Sequence, residues 1–86
     1  MKVDWDHLQF FLVLARTKTL TNAARVIGVE HSTVARRIQA LELTLGTTLF
    51  KREASGYELT MEGLALVPRV EQMEQAFLQK IGRAHV

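Results

Sequence analysis

The sequence predicts a mainly α-helical domain: a helix-turn-helix, a small β-hairpin wing and a long C-terminal helix. Three observations predict it. Residues 19–45, TLTNAARVIGVEHSTVARRIQALELTL, divide at Gly28 into two short amphipathic stretches, the pattern of two helices joined by a tight turn. Two short alternating runs, Leu49-Phe50-Lys51-Arg52 and Tyr57-Glu58-Leu59, flank a Ser-Gly turn, as the strands of a hairpin do. Leu66, Val70, Met73, Phe77 and Ile81 then recur at helical spacing near the C-terminus, which marks an apolar stripe on a long helix.

The elements follow in order. A first helix is expected from about Asp4 to Thr17, with Asp4 or Asp6 at its positive end. Leu8, Phe11, Leu12 and Ala15 form its core face, and Trp5 and Phe10 broaden it. Thr19 is a suitable N-cap for a second helix over Leu20–Ile27, in which Ala23 and Ala24 let a neighbouring helix approach closely. Gly28 supplies the left-handed turn that ends it. The third helix starts near His31 or Ser32 and ends before Gly46. Val34, Ile38, Leu41 and Leu45 make its core stripe, with Ser32, Arg36, Gln39 and Leu43 roughly opposite. After the hairpin, Thr60 caps a last helix that runs to about residue 82, and Pro68 inside it predicts a kink or a missing hydrogen bond. Residues 1–60 are read as the helix-turn-helix with its wing, and 61–86 as a linker and dimerisation helix.

Composition narrows the function. Eighty-six residues suit one domain, and a chain this short buries only ~60% of its unfolded surface, so dimerisation would help it. Without cysteine there is neither a disulfide framework nor a thiolate zinc site. The acidic N-terminus is unlike a signal peptide, and no apolar run suits a membrane span; a cytoplasmic location is expected. No His pair has the i,i+4 spacing of a helical metal site, and neither a cofactor motif nor a convergent catalytic set is visible, so no enzyme is expected. The net charge of +2 is modest but unevenly spread. Residues 1–52 hold eight Lys/Arg against four Asp/Glu, whereas residues 53–86 hold three against five. The positive part coincides with the helix-turn-helix, as phosphate binding requires.

Double-stranded DNA is the partner this pattern implies, with the third helix in the major groove. Arg36 can donate bidentately to guanine, or be an ordinary solvated arginine. Arg37 lies nearer the core edge, suited to pairing with a helix neighbour or a phosphate rather than to base readout. Ser32 and Thr33 offer hydroxyls to phosphate or base edges, or one of them caps the helix. His31 and Gln39 stand where base-edge or phosphate contact is open to them. Thr21 and Asn22 open the second helix, which in such proteins crosses the DNA backbone. Lys51, Arg52 and Ser55 belong to the wing; Lys51 and Arg52 can reach phosphate, and Arg52 can instead anchor the hairpin to Glu42 or to another carboxylate. The stripe Leu66, Val70, Met73, Phe77 and Ile81 must cover something, either its own domain or a second copy. A helix of ~30 Å is longer than so small a domain can cover, which favours a homodimer.

These segments together resemble the N-terminal DNA-binding domain of the LysR-type bacterial transcription regulators. The resemblance runs from Leu8-Gln9-Phe10-Phe11 through Leu20-Thr21-Asn22-Ala23-Ala24 and Ser32-Thr33-Val34-Ala35-Arg36-Arg37-Ile38-Gln39-Ala40-Leu41-Glu42. It continues through Leu45-Gly46-Thr47-Thr48-Leu49-Phe50-Lys51-Arg52 and Leu59-Thr60-Met61-Glu62-Gly63. It implies a winged helix-turn-helix, dimerisation through the last helix, a partly palindromic operator and action on the bacterial nucleoid. It also implies tetramers as an option of the full-length protein and a small-molecule effector bound only by a C-terminal domain missing from this chain. Three positions depart from the family pattern. Glu30-His31 replaces the frequent Ser-Gln, Ala35 replaces a serine, and Ser55 stands where the wing often carries a basic residue. Ala35 is suited to a thymine methyl, and Ser55 between acidic neighbours implies a weak wing.

Overall fold

The computed structural model describes residues 3–83, with side chains to residue 78. The order is α1 (Trp5–Thr17), α2 (Leu20–Ile27), α3 (His31–Leu45), β1 (Phe50–Glu53), β2 (Gly56–Leu59) and α4 (Met61–Arg83). The three short helices pack against one another, the two strands form an antiparallel hairpin, and α4 returns across α1. This is a winged helix-turn-helix with a long final helix, as the sequence predicts.

Local chemistry sets each boundary. The Asp4 side chain accepts from the Asp6 amide at 3.0 Å and caps α1. Thr19 Oγ1 accepts from the Asn22 amide at 3.1 Å and caps α2. Gly28, at φ 88°, ends α2 in the left-handed region. Lys18 ends α1 in the same region at φ 71°, although it carries a Cβ. Helix α3 has Glu30 at its N-cap with no side-chain cap bond, so neither Ser32 nor Thr33 serves as the cap. Thr60 Oγ1 accepts from the Gly63 amide at 3.1 Å at the start of α4 and donates to the Thr48 carbonyl at 2.8 Å.

The core gathers Leu8, Phe11, Leu12 and Leu14 of α1, Ala23 and Ala24 of α2, and Val34, Ile38 and Leu41 of α3, closed by Leu49 and Val70. Ala15, expected on the α1 core face, is only half-buried, and Leu14 occupies the interior instead. The core wraps α1 on more than one side, because α2, α3 and α4 all pack on it. Phe50 joins the core to the wing, its ring 5.5 Å from Phe11 and 6.1 Å from Tyr57. Helix α4 runs unbroken through Pro68. That proline is exposed, so the carbonyl left without its N–H partner faces solvent.

Val70 departs from its expected place at a dimer contact. It is completely buried in its own domain, and Leu66 is partly buried beside it. Their stretch of α4 lies over α1, whereas Met73 and Phe77, on the same stripe, are exposed. The Ile81 side chain lies outside the described residues. Gly63 allows α4 to sit so close to the hairpin: a Cβ there would stand 2.3 Å from the Leu49 carbonyl oxygen.

Candidate nucleic-acid interface

Helix α3 turns Val34, Ile38 and Leu41 into the core. At 100° per residue, that orientation directs Ser32, Arg36, Gln39 and Leu43 outwards within about 60° of one another. All four are exposed, Leu43 by 83%. The row spans ~16 Å, enough to follow a major groove ~12 Å wide. Its first three members donate or accept hydrogen bonds, and its last is apolar.

Arg36 is steadied without being neutralised. Its Nη2 donates to Thr33 Oγ1, one helical turn back, at 3.3 Å. Among the described residues, ion pairs within 4.0 Å involve Arg16 alone, so Arg36 has no carboxylate partner. Arg37 takes the other option open to it. Its guanidinium lies 5.7 Å from the Phe10 ring centroid and 3.4 Å from His7 Nε2, both on α1. This cationic group therefore braces α3 against α1. His31 and Ser32 are exposed at the start of α3 and Thr33 is half-buried.

Thr21 and Asn22 are exposed on α2. The Asn22 amide is used by the Thr19 cap, and its Oδ1 accepts from Arg25 Nη1 at 3.1 Å. What Asn22 offers a partner is therefore the remainder of its side chain. In the hairpin, Lys51 pairs with Glu58 across the ladder and Arg52 with Tyr57. Both basic residues are exposed, and Ser55 is exposed in the turn between the strands. The Arg52 guanidinium lies 5.7 Å from the Tyr57 ring centroid. It does not anchor the hairpin to Glu42. Glu42 instead accepts from the Leu49 and Phe50 amides at 2.7 and 3.3 Å, binding the root of β1 directly to α3.

Glu42 is the residue whose part was not foreseen. It fixes the distance between the two elements that flank a crevice of about 310 Å³, lined by Ala35 and Gln39 of α3 and by Phe50, Arg52 and Tyr57 of the hairpin. The available signal was a lone carboxylate near the end of a basic helix, four residues before its closing glycine. That pattern cannot reveal two backbone donors arriving from a later strand. Eight of the eleven Lys/Arg, the outward row and the hairpin all come from residues 1–59. On the side of α1 that meets α4, Arg16 bonds Glu74 at 3.1 Å and approaches Glu71 at 3.6 Å. That ion-paired contact clamps α4 to the domain.

Fold and surface together define a helix-turn-helix module whose second helix, α3, carries hydrogen-bonding and cationic groups on its exposed face. The family is specific. The pattern of the bacterial regulatory helix-turn-helix proteins of the lysR family matches residues 5–64, and the chain belongs to that family. It is 37% identical over 63 residues to the transcriptional regulator BudR of Klebsiella aerogenes, covering 73% of this chain and 44% of that protein. It is 37% identical over 78 residues to CzcR of Bacillus subtilis, covering 83% and 27%. The DNA-binding domain of CbnR, solved in complex with DNA, superposes with a TM-score of 0.87 at 26% identity, over 96% of this chain and 95% of that one. Vibrio fischeri DarR, also solved with DNA, gives a TM-score of 0.87 at 30% identity over 99% of this chain and 29% of that one. The chain spans about a quarter of the length of the first curated relatives it matches, at 26% and 23%.

Proposed function

We propose that this chain is the operator-reading module of a bacterial transcription regulator, binding double-stranded DNA sequence-specifically with α3 in the major groove. One observation carries the reading: the exposed row Ser32–Arg36–Gln39, with Arg36 held by Thr33 and, among the described residues, without an ion-pair partner. In this reading Arg36 and Gln39 meet base edges, and His31, Ser32 and Thr33 meet base edges or phosphate at the front of the helix. Thr21, Asn22, Lys51, Arg52 and Ser55 hold the DNA backbone and set register. Arg37 acts indirectly, by fixing α3 on α1. The relatives solved in complex with DNA support double-stranded DNA as the partner. The chain is a binding module and not an enzyme, and its place of action is the cytoplasm, on the bacterial nucleoid.

Residues 1–60 carry DNA recognition, and 61–86 pair two copies on a partly palindromic operator. Met73, Phe77 and Ile81 form the contact between copies; Leu66 lies at its edge, and a longer protein can pair further into a tetramer. Small-molecule control is assigned to sequence outside residues 1–86. No cofactor is invoked.

The test begins by selecting bound sites from a random DNA pool. Wild-type and Arg36→Ala proteins then compete for a set of singly substituted sites. A guanine contact contributes ~1–3 kcal/mol of discrimination, so Arg36→Ala should lose about that much on the best site and relax preference at one base pair per half-site. A uniform loss across the set would show that Arg36 holds the backbone and reads nothing.

A further inference from the structure

We infer that Lys18 is a phosphate-contacting residue, a positive point charge set between the two elements that hold the DNA backbone. The inference rests on the DNA-binding reading above and adds to it a residue outside the helix-turn-helix and wing positions.

Lys18 links α1 to α2. Three features single it out. Among the described residues it is the only one other than glycine at positive φ, 71°. Left-handed backbone crowds a Cβ against the following carbonyl, and an unbranched side chain persists there only where its surroundings hold it. The surroundings do so. The Tyr57 amide donates to the Lys18 carbonyl at 2.7 Å, and the Lys18 amide donates to the Leu14 carbonyl at 2.8 Å. Gly56 packs so closely that a Cβ on it would lie 2.4 Å from that same Lys18 carbonyl oxygen. The side chain is exposed, and among the described residues it makes no ion pair within 4.0 Å.

Its position gives that charge a use. Lys18 is followed by the Thr19 cap and by Thr21 and Asn22 of α2, and its backbone is bonded to the hairpin beside Ser55. It therefore stands between the α2 and wing contacts, attached to both. An ammonium group on a four-carbon stem reaches phosphate without needing one orientation. The tip of the wing carries Ser55 and no cation of its own, so Lys18 supplies charge at the wing from the neighbouring turn. Glu58 lines the same small crevice but is not within ion-pair distance of Lys18.

The experiment measures DNA affinity against salt for the wild type and for Lys18→Gly, Lys18→Asn and Lys18→Arg, on one selected duplex and one unrelated duplex. Glycine and asparagine both accept left-handed backbone, so both variants keep the fold, and Lys18→Gly should melt a few degrees higher. Losing one phosphate contact makes the log-log slope shallower by about 0.9. The affinity ratio of wild type to Lys18→Gly should then shrink roughly threefold between 50 and 200 mM salt, equally on both duplexes. Lys18→Asn should match Lys18→Gly, and Lys18→Arg should match the wild type. A wild-type slope in both neutral variants would assign Lys18 to solvent and overturn this inference alone. A wild-type protein with no salt-dependent DNA binding would overturn the DNA-binding reading as well.

Discussion

The two halves of α4 carry the same apolar stripe and meet different fates. Leu66 and Val70 lie over α1 and complete the core, with Val70 wholly buried. One and two turns further on, Met73 and Phe77 are 47% and 52% exposed. Spacing, residue type and helix are alike in the two halves; only the surroundings differ. The domain buries the first half against α1, whereas the second is held by the Arg16–Glu74 contact and keeps its apolar side chains half-exposed. Periodicity thus identifies which face of a helix needs cover but not what covers it. That depends on how the rest of the chain packs, which is a tertiary fact.

The largest effect should come from forcing the two halves to behave alike. Val70→Asp places a carboxylate in the core with no partner, and an unpaired buried charge costs several kcal/mol. That is comparable to the whole stability of a small domain, ~5–15 kcal/mol. Most of the protein should be unfolded at 25 °C by circular dichroism and urea titration. Val70→Ala, which only empties space, should cost about 1–3 kcal/mol. A fully folded Val70→Asp protein would mean that α4 can leave the domain freely, and the contrast between the halves would collapse.

Phe77→Glu sharpens the same contrast from the other side. The site is half-exposed, so the folding free energy of the isolated domain should change by no more than ~0.5 kcal/mol. Assembly should change much more. The variant should be monomeric by light scattering at concentrations where the wild type is a dimer, and should lose more affinity for a two-half-site operator than for one half-site. An unchanged dimer mass would place the contact between copies elsewhere.

These cases show why some features were legible in the sequence and others were not. The helices announced themselves through local chemistry: Asp4 and Thr19 as caps, Gly28 as a stop, and Val34, Ile38 and Leu41 at intervals of four and three. The hairpin followed from its turn and its flanking alternation. Arg36 on the outward face of α3 needed only the helical period, since the core stripe fixes the opposite side. What escaped were contacts between elements distant in sequence. Glu42 looks like a surface carboxylate until the Leu49 and Phe50 amides are brought to it. Arg37 had two possible partners, and only the packing of α1 decides for His7 and Phe10. Leu14 is buried because three elements pack around α1, where one apolar face would have left it outside. Gly63 was visible as part of a family pattern, but its reason, the Leu49 carbonyl 2.3 Å from where a Cβ would lie, belongs to the folded state.

The smallest expected effect concerns the clamp that positions the second half. Arg16 bonds Glu74 and approaches Glu71, and the hydrogen bond to Glu74 chiefly holds its guanidinium above the ordinary arginine pKa. A cation whose folded pKa is raised contributes stability that is fully present below its unfolded pKa and disappears as pH rises through the folded one. For arginine that window is strongly alkaline, so this shift produces no change in stability between pH 6 and 8. Salt is the more useful lever. The Arg16 side chain is 50% exposed, and screening holds such a pair to about 0.5 kcal/mol. Arg16→Ala should therefore lower stability by about 0.5 kcal/mol at low salt, with little of that difference left at 1 M, where the screening length is ~3 Å. Its effect on α4 should exceed its effect on folding. With neither Glu71 nor Glu74 tied to α1, amide hydrogen exchange should rise in the turns of α4 beyond Val70 while the α1–α3 core stays protected. Equal protection along α4 in the two proteins would show that Val70 and Leu66 alone hold the helix, leaving the ion pair no part in aiming its exposed end.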